Sequence, residues 1–347
     1  MKTVLLRWLP AVVVPAVIAT VAVAVPFQVS ATEDLPAKTP EQLVSLALNN
    51  SVSAFSGTLE QSSELGLPQL PAAEKFSDSP EASALELLTG SHTARVYVDG
   101  PSKSRIQVMD TLAERDVIRN GTDAWLYDSH DNSTVHVTLP PNARRGMHEG
   151  QTPANLADKI LTSLDASTRV TVGDDTDVAG RTAYELVLTP RTTDTLVGSI
   201  SIALDSQTGL PLSVDVRARG QQAPAFHLAF TELSLKAPDA DRFSFTPPPG
   251  SDVKELTLPH HKHLGDKPPA EKTMPRVIGT GWSAIVELPA GAVPTELTAS
   301  PLLSQLTTPV ASGRLLSSSL VNILLTNDGR VLVGSVPADL LTAAAGR

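Results

Sequence analysis

Apolar and polar residues alternate one by one over two long stretches of this chain, residues 92 to 139 and 169 to 246. Asn120-Gly121 marks one of the tight turns between the alternating runs. A period of two places the apolar side chains on one face of each strand. We therefore predict a long antiparallel sheet with one apolar and one polar face. The phase of the pattern shifts by one residue at Leu233, which predicts a β-bulge.

Three short helices are predicted, each starting at a Ser or Thr that is followed by Pro, the arrangement that favours a helix start. They begin near residues 39, 79 and 152. In the first and third, apolar residues three or four positions apart form one stripe. The stripe residues are Leu43, Leu46, Leu156 and Ile160. Because such a stripe needs an apolar partner, we expect these helices to lie on the apolar face of the sheet.

The alternation ends near residue 250, and a Pro-rich stretch follows. Seven of the 28 prolines fall between Pro247 and Pro275, in a stretch that has neither hydrophobic period. Beyond it, Asp328-Gly329 marks a hairpin turn. We predict a sheet domain over residues 32–250, a linker over 251–275 and a small α+β domain over 276–347.

The first 31 residues have the three parts of an export signal. Lys2 and Arg7 precede an uncharged run, and Val29-Ser30-Ala31 offers small residues at the positions that a signal peptidase recognises. We predict cleavage after Ala31 and a location outside the cytoplasm, either secreted or in the cell envelope. The alternative is an uncleaved membrane anchor, since about 20 apolar residues can span a bilayer.

The composition is that of a folded protein without covalent cross-links. Hydrophobic residues make up 41% and charged residues 18% of the 347 residues. The chain has no Cys, which excludes a disulfide scaffold, a thiolate metal site and a lipid-modified Cys after the signal. A net charge of −10 argues against nucleic-acid binding and against electrostatic docking on anionic lipid. Any lipid contact is therefore expected to be apolar.

The sequence contains no recognised catalytic motif. It has no Ser elbow, no His-Glu-x-x-His pattern, no phosphate-binding glycine loop and no dinucleotide fingerprint. Two clusters could suggest a metal site, the histidines between His260 and His263 and the aspartates between Asp174 and Asp177. Neither has the spacing of a complete ligand set, so linker histidines and a hairpin turn are the simpler interpretations. We expect no enzyme, no cofactor and no metal, with a hydrolase as the weakest alternative.

The apolar face of the sheet is the remaining candidate for function, and it allows two interpretations. In the first, the helices cover it fully and it is hydrophobic core, the commoner fate of alternating apolar residues. In the second, three short helices are too few to cover about ten strands, so part of the face stays open as a lipid pocket. The pattern alone does not decide between them.

Several motifs follow one another in order along the chain: the opening amphipathic helix, Ser56-Gly57-Thr58, Trp125 and Tyr127 in the meander, the mid-sheet helix, Gly180 to Leu186, Asp205 to Pro211, and Arg242 to Gly250. In this order they resemble the LolA-like domain over roughly Leu35 to Val253. The resemblance is particularly close to actinobacterial members, which share Leu65 to Pro71 and, in their C-terminal part, Gly313-Arg314 and Asp328-Gly329-Arg330.

The resemblance implies a half-open antiparallel β-barrel covered by short helices, as in LolA, the receptor LolB and the sigma-E regulator RseB. Members of that superfamily hold the acyl chains of lipids or lipoproteins in the hollow, without a catalytic residue. The expected pocket residues are Trp125, Tyr127, Val214, Val216, Phe226 and Phe230, and the expected lid residues are Leu43, Leu46, Leu156 and Ile160. The first hypothesis is an exported lipid or lipoprotein carrier. The alternative is an RseB-like regulator that binds a membrane-anchored anti-sigma factor. Neither fixes the oligomeric state.

Overall fold

The computed structural model describes residues 35–67, 90–109, 113–140, 152–257, 275–293 and 301–346. The predicted export signal, the predicted helix near residue 79 and the histidines between His260 and His263 lie outside these ranges.

Four α-helices occur in the described residues: α1 (Pro40–Leu48), α2 (Pro153–Thr162), α3 (Pro301–Leu306) and α4 (Ala338–Ala345). The start of α1 is a capping box, in which the Thr39 hydroxyl accepts from the Gln42 backbone N–H and the Gln42 side chain accepts from Thr39 N. Thr152 caps α2 in the same way by accepting from Asn155 N. None of the described helices is long and apolar enough to cross a membrane.

The strands are β1 (Ala54–Ser63), β2 (Gly90–Asp99), β3 (Lys103–Met109), β4 (Glu114–Asn120), β5 (Asp123–Asp128), β6 (Ser133–Thr138), β7 (Thr168–Val172), β8 (Thr176–Val178), β9 (Arg181–Pro190), β10 (Val197–Asp205), β11 (Pro211–Ala218), β12 (Phe226–Ser234), β13 (Asp252–Thr257), β14 (Arg276–Ile278), β15 (Ile285–Leu288), β16 (Thr307–Val310), β17 (Gly313–Ser317), β18 (Asn322–Thr326) and β19 (Val331–Gly334).

Thirteen of the described strands form one large sheet, in the order β13-β6-β5-β4-β3-β2-β1-β12-β11-β10-β9-β7, with β8 also paired to β9. All of its pairs are antiparallel except β13 with β6. The order does not return on itself, so the sheet is a half-open barrel with edges at β13 and β7. This confirms the predicted α+β fold class. The predicted bulge is also present, since the β1–β12 register shifts opposite Phe230 and Glu232.

The segment after β12 runs across the sheet and rejoins it at the far edge. A 3-10 turn, Ala240–Phe243, lies against β3 and β4, and β13 then pairs with β6. The linker predicted over residues 251–275 is therefore wrong for its first part, because Asp252–Thr257 form a strand. A strand at a sheet edge tolerates the charges of this segment, which hid it from pattern analysis.

The remaining six strands form a second sheet, in the order β14-β15-β19-β18-β17-β16. Helix α4 packs on one face, where Leu341 joins a cluster of buried aliphatic residues. The loop after β17 contacts the large sheet, because Ser319 N donates to Leu65 O at 2.8 Å and Leu320 enters the core beneath α1 and α2. The Trp282 indole N–H also donates to the Thr168 hydroxyl at 2.8 Å.

Candidate ligand-binding face

The pairing register assigns the two faces of the large sheet. Directly opposed residues in a ladder project from the same face. Val214 is opposite Ile202 on β10 and opposite Leu228 on β12, and Leu43 of α1 belongs to the same packed cluster as Val214. We call this the inner face and the opposite one the outer face.

Helices α1 and α2 make their main contacts with β7, β9, β11 and β12, and this region is called the covered half. It is a packed core. Leu43 and Val214 are fully buried in it. The other predicted lid and pocket residues that pack here, half-buried, are Leu46, Leu156, Ile160, Val216 and Phe226. The structure thus brings all four predicted lid residues together with three of the six predicted pocket residues.

Phe230 belongs to the neighbouring part of the same inner face. It is buried beside β1, where its ring meets the edge of the Phe55 ring at a centroid distance of 5.8 Å. The ring lies over Gly57, at which a Cβ atom would come within 2.9 Å of the Phe230 side chain. Glycine at this position therefore allows the close approach of the aromatic ring.

Trp125 and Tyr127 project from the outer face, so the prediction that they share a pocket with Val214 is wrong. Trp125 is opposite Ile118, whereas Leu126 stands in the ladder line of the inner-face residues. The alternation of residues shows that β5 has two faces, but it does not show which face lies inside the sheet. The prediction places the aromatic residues on the inside, whereas on this strand an aromatic segment covers the outer face.

That cover is the segment from Arg242 to Pro249, called here the strap. Phe245 packs against both Trp125 and Tyr127, with centroid distances of 5.6 and 5.7 Å. Phe243 is buried, and the Arg242 guanidinium lies 5.2 Å from the centre of the Tyr97 ring. The strap motif that contributed to the family resemblance is therefore a packing element of the outer face.

Strands β2 to β6 form the second region of the inner face, called here the open half. One ladder line crosses all five strands with an aliphatic residue on each, and its members are Val96, Ile106, Val117, Leu126 and Val135. We call it the apolar line. Val96 is fully buried and Ile106 nearly so, Val117 and Val135 are half-buried, and Leu126 is 38% exposed. Of these five side chains, Leu126 is the most exposed.

Sequence analysis did not name the residues of the apolar line. Their signal was present, because Val96, Ile106 and Val135 are the apolar members of alternating strands. The sequence pattern does not give the register that aligns these residues across five strands, because the register depends on pairing between distant parts of the chain.

Charged side chains border the apolar line on the inner face. The neighbouring ladder line contains Arg115, Asp128, Ser133 and Asp252, one on each of β4, β5, β6 and β13. We call it the charged line. Lys254 stands opposite Val135, at the outer end of the apolar line. On the other side of Val117, Arg119 is buried and its Nε donates to Gly121 O at 3.2 Å.

Two buried carboxylates in the large sheet differ in their electrostatics. Asp205 accepts hydrogen bonds from Arg181 and Thr208, which lower its pKa by more than burial raises it. Burial raises the pKa of Asp116 on the outer face, and its bonds to Arg105 offset this only in part.

Most of the motif residues that carry the family resemblance have structural partners. Arg181 and Asp205 tie the turn before β9 to the turn after β10. Arg314 Nη2 donates to Ser304 O of α3 at 2.7 Å, and Arg330 Nη2 donates to Ala345 O of α4 at 2.8 Å. These contacts hold turns and helix ends in place, which is a structural role.

Within the described ranges, no group of three or more His, Cys, Asp or Glu side chains is arranged to hold a metal ion. In the aspartate cluster named above, the Asp175 carboxylate accepts from the Leu35 backbone N–H at 2.9 Å. It thereby fixes the chain just before α1.

No protein-family model matches the sequence, and no curated protein does. Solved structures with a similar fold include MucB in the Pseudomonas aeruginosa MucA/MucB complex, with a TM-score of 0.42 and 16% identity over 88% of this chain and 95% of that one. A LolA superfamily protein from Nitrosomonas europaea gives 0.25 and 12%, over 60% and 99%. A putative outer membrane lipoprotein-sorting protein domain from Vibrio parahaemolyticus gives 0.23 and 10%, over 58% and 97%.

One of these similar structures is of a LolA superfamily protein, the family that the sequence motifs resemble. At such identities and TM-scores the likeness concerns the fold, and the function has to be argued from the residues of this chain.

Proposed function

We propose that this protein is an exported, non-enzymatic carrier that holds the acyl chain of a lipid or lipoprotein on the open half of its inner face. The observation that supports this proposal is the apolar line, in which Leu126 is 38% exposed. Among the described residues, no α-helix makes its main contacts with β2 to β6, and a face of an antiparallel sheet that is exposed to water normally carries polar residues. An aliphatic line on such a face is typical of a binding surface.

The two halves of the inner face support this choice of site. Under α1 and α2, Leu43 and Val214 are fully buried in a packed cluster, which leaves no surface for a ligand at those residues. On β4 to β6, Val117, Leu126 and Val135 keep part of their surface accessible. A ligand on these strands removes this apolar surface from water.

The expected affinity follows from the hydrophobic effect. Burial of an acyl chain contributes about 0.8 kcal/mol for each CH₂ group, so a long chain binds without any polar contact. The accessible part of the apolar line, from Val117 to Val135, spans two strand intervals, a distance of about 10 Å at the usual strand spacing. That length contacts part of an extended acyl chain lying across the strands.

The test is the binding of a fluorescent fatty acid to the wild-type protein and to Leu126→Glu. A charge in the middle of the apolar line should weaken binding about tenfold or more, since a buried leucine is worth about 1.5–3 kcal/mol. Val277→Glu is the matched control, because Val277 is an exposed valine on the second sheet. Equal weakening in both variants, or none in Leu126→Glu, would reject the site. A native mass spectrum without bound lipid, together with no fatty-acid binding, would reject the carrier.

A second candidate function is that of a regulatory protein that binds a membrane-anchored anti-sigma factor. The observation that favours it lies on the second sheet, where Val277 and Val286 are directly opposed and both exposed. An acyl chain on β2 to β6 makes no use of these residues. Co-purification from solubilised membranes tests this candidate, and Val277→Glu should abolish the recovery of a membrane protein if it is correct.

A further inference from the structure

The charged line contains both positive and negative side chains, and their arrangement indicates which ligand headgroup fits beside the apolar line. From β4 to β13 it presents a guanidinium, a carboxylate, a hydroxyl and a second carboxylate, and the Lys254 ammonium stands beside its outer end. The two cations and two anions sum to zero in a chain whose net charge is −10. They run alongside the apolar line at a distance of two residues, about 7 Å.

The charges on the edge strand β13 are accessible to a ligand. The side chains of Lys254 and Asp252 are 68% and 72% exposed, and that of Asp128 is 37% exposed, whereas Arg115 is 21% exposed and its Nε and Nη1 atoms are buried. Lys254 Nζ lies 3.8 Å from Asp252 Oδ2, and Arg115 Nε lies 3.5 Å from Asp128 Oδ2.

A headgroup placed on this border meets both signs of charge. A purely anionic headgroup would approach the carboxylates of Asp128 and Asp252, and a purely cationic one would approach Arg115 and Lys254. A zwitterionic headgroup can direct its phosphate to a cation and its ammonium to a carboxylate. The overall charge of −10 adds a further cost for anionic ligands at low salt.

We therefore propose that the open half selects acyl amphiphiles with a zwitterionic headgroup, such as a phosphoethanolamine, with the chain on the apolar line and the headgroup on the charged line. This inference rests on the proposed function, because it assigns the headgroup of the same ligand. Exposed charge pairs contribute about 0.2–1 kcal/mol each, so the selection should amount to roughly two- to fivefold at low salt.

The experiment compares three amphiphiles with the same acyl chain: lysophosphatidylethanolamine, lysophosphatidylglycerol and monoacylglycerol. Each displaces the fluorescent fatty acid from the wild-type protein, and the zwitterionic compound is expected to bind most tightly. Equal affinities, or a preference for the anionic compound, would overturn the headgroup inference while the carrier function stands. If none of the three displaces the probe, the proposed function itself fails.

Two substitutions should shift the preference in opposite directions. Asp128→Asn removes an anion and should improve the anionic compound relative to the zwitterionic one, whereas Arg115→Gln should worsen it. A role in stability alone would change both affinities together. If Arg115→Gln does not fold, Lys254→Gln replaces it, because the Lys254 side chain is mostly exposed. Lys254→Gln should likewise weaken binding of the anionic compound relative to the zwitterionic one.

The matched controls are Glu232→Gln and Arg95→Gln, two exposed charges that flank Thr58 on the outer face. Both should leave the headgroup preference unchanged. If they shift it as much as the inner-face variants do, the selection comes from net charge and the assignment to the charged line is wrong.

Discussion

The covered half and the open half of the inner face are built from the same kind of strand but have different surroundings. In the covered half, Val214 and Ile202 are fully buried beneath two short helices. In the open half, Leu126 occupies an equivalent alternating position and is 38% exposed. The comparison shows that alternation defines which side chains share a face, whereas the cover over that face decides whether they are core or binding surface.

The largest expected effect on stability comes from replacing the two buried carboxylates, Asp205 on β10 and Asp116 on β4. Asp205→Asn leaves the Arg181 guanidinium without its charged partner, and we expect a loss of about 3–5 kcal/mol in the free energy of unfolding. Asp116→Asn on the outer face of β4 should cost less, because burial raises the pKa of Asp116 and already disfavours its ionised form. Urea denaturation of both variants at pH 7 measures the difference.

The pH dependence of each carboxylate's contribution to stability, measured as the wild-type free energy of unfolding minus that of the Asn variant, gives an independent check, because the two contributions change with pH in opposite directions. The lowered pKa of Asp205 gives stability that is present above the unfolded pKa and is lost as the pH falls through the folded value. The raised pKa of Asp116 gives stability that is present at low pH and is lost as the pH rises through its folded value. Identical pH profiles for both variants would contradict the assignment.

The next effect concerns the packing of the lid. Leu43→Ala removes a fully buried side chain from the core beneath α1, and a cost of about 3 kcal/mol is expected. Leu126→Ala is its matched control in the open half and should cost less than about 1 kcal/mol, because water already reaches this side chain. If Leu43→Ala costs no more than Leu126→Ala, α1 is a loose lid and the covered half is not a closed core.

The smallest effect distinguishes two sequence neighbours on opposite faces. Trp125→Ala removes the outer-face contact with Phe245 of the strap, and we expect a loss of about 2 kcal/mol in stability with fatty-acid affinity unchanged. Leu126→Ala should do the reverse, with a small loss of stability and weaker binding. If Trp125→Ala folds but loses fatty-acid affinity, Trp125 does contact the ligand and its assignment to the outer face is wrong.

Much of the fold followed from local pattern. The Thr-Pro starts of α1 and α2 agree with the structure, because side-chain capping depends only on residues within one turn. The bulge at Leu233 was also visible, since an extra residue shifts the phase of alternation at once. The lid residues Leu43, Leu46, Leu156 and Ile160 do meet the inner face, because each helix stripe has few places to be buried.

The site was less predictable, and the errors have a common origin. The prediction places Trp125 and Tyr127 in the pocket as apolar residues of the inner face, yet Phe245 of the strap packs against them on the other face. The strap arrives from more than 100 residues later in the chain. Strand β13 was missed for the same reason, because its charges suit an edge strand only when a partner such as β6 is known.

The sequence by itself determined most of the elements and which side chains within a strand share a face, since helix caps, tight turns and a period of two act through neighbouring residues. It also determined that a disulfide cannot contribute, because the chain has no Cys. Only the tertiary structure decided which half of the inner face lies beneath helices, which face of β5 the strap covers, and that Arg115, Asp128, Asp252 and Lys254 border the apolar line. These features depend on strand register and on contacts between distant segments, and the free energy of such contacts is set by the assembled sheet.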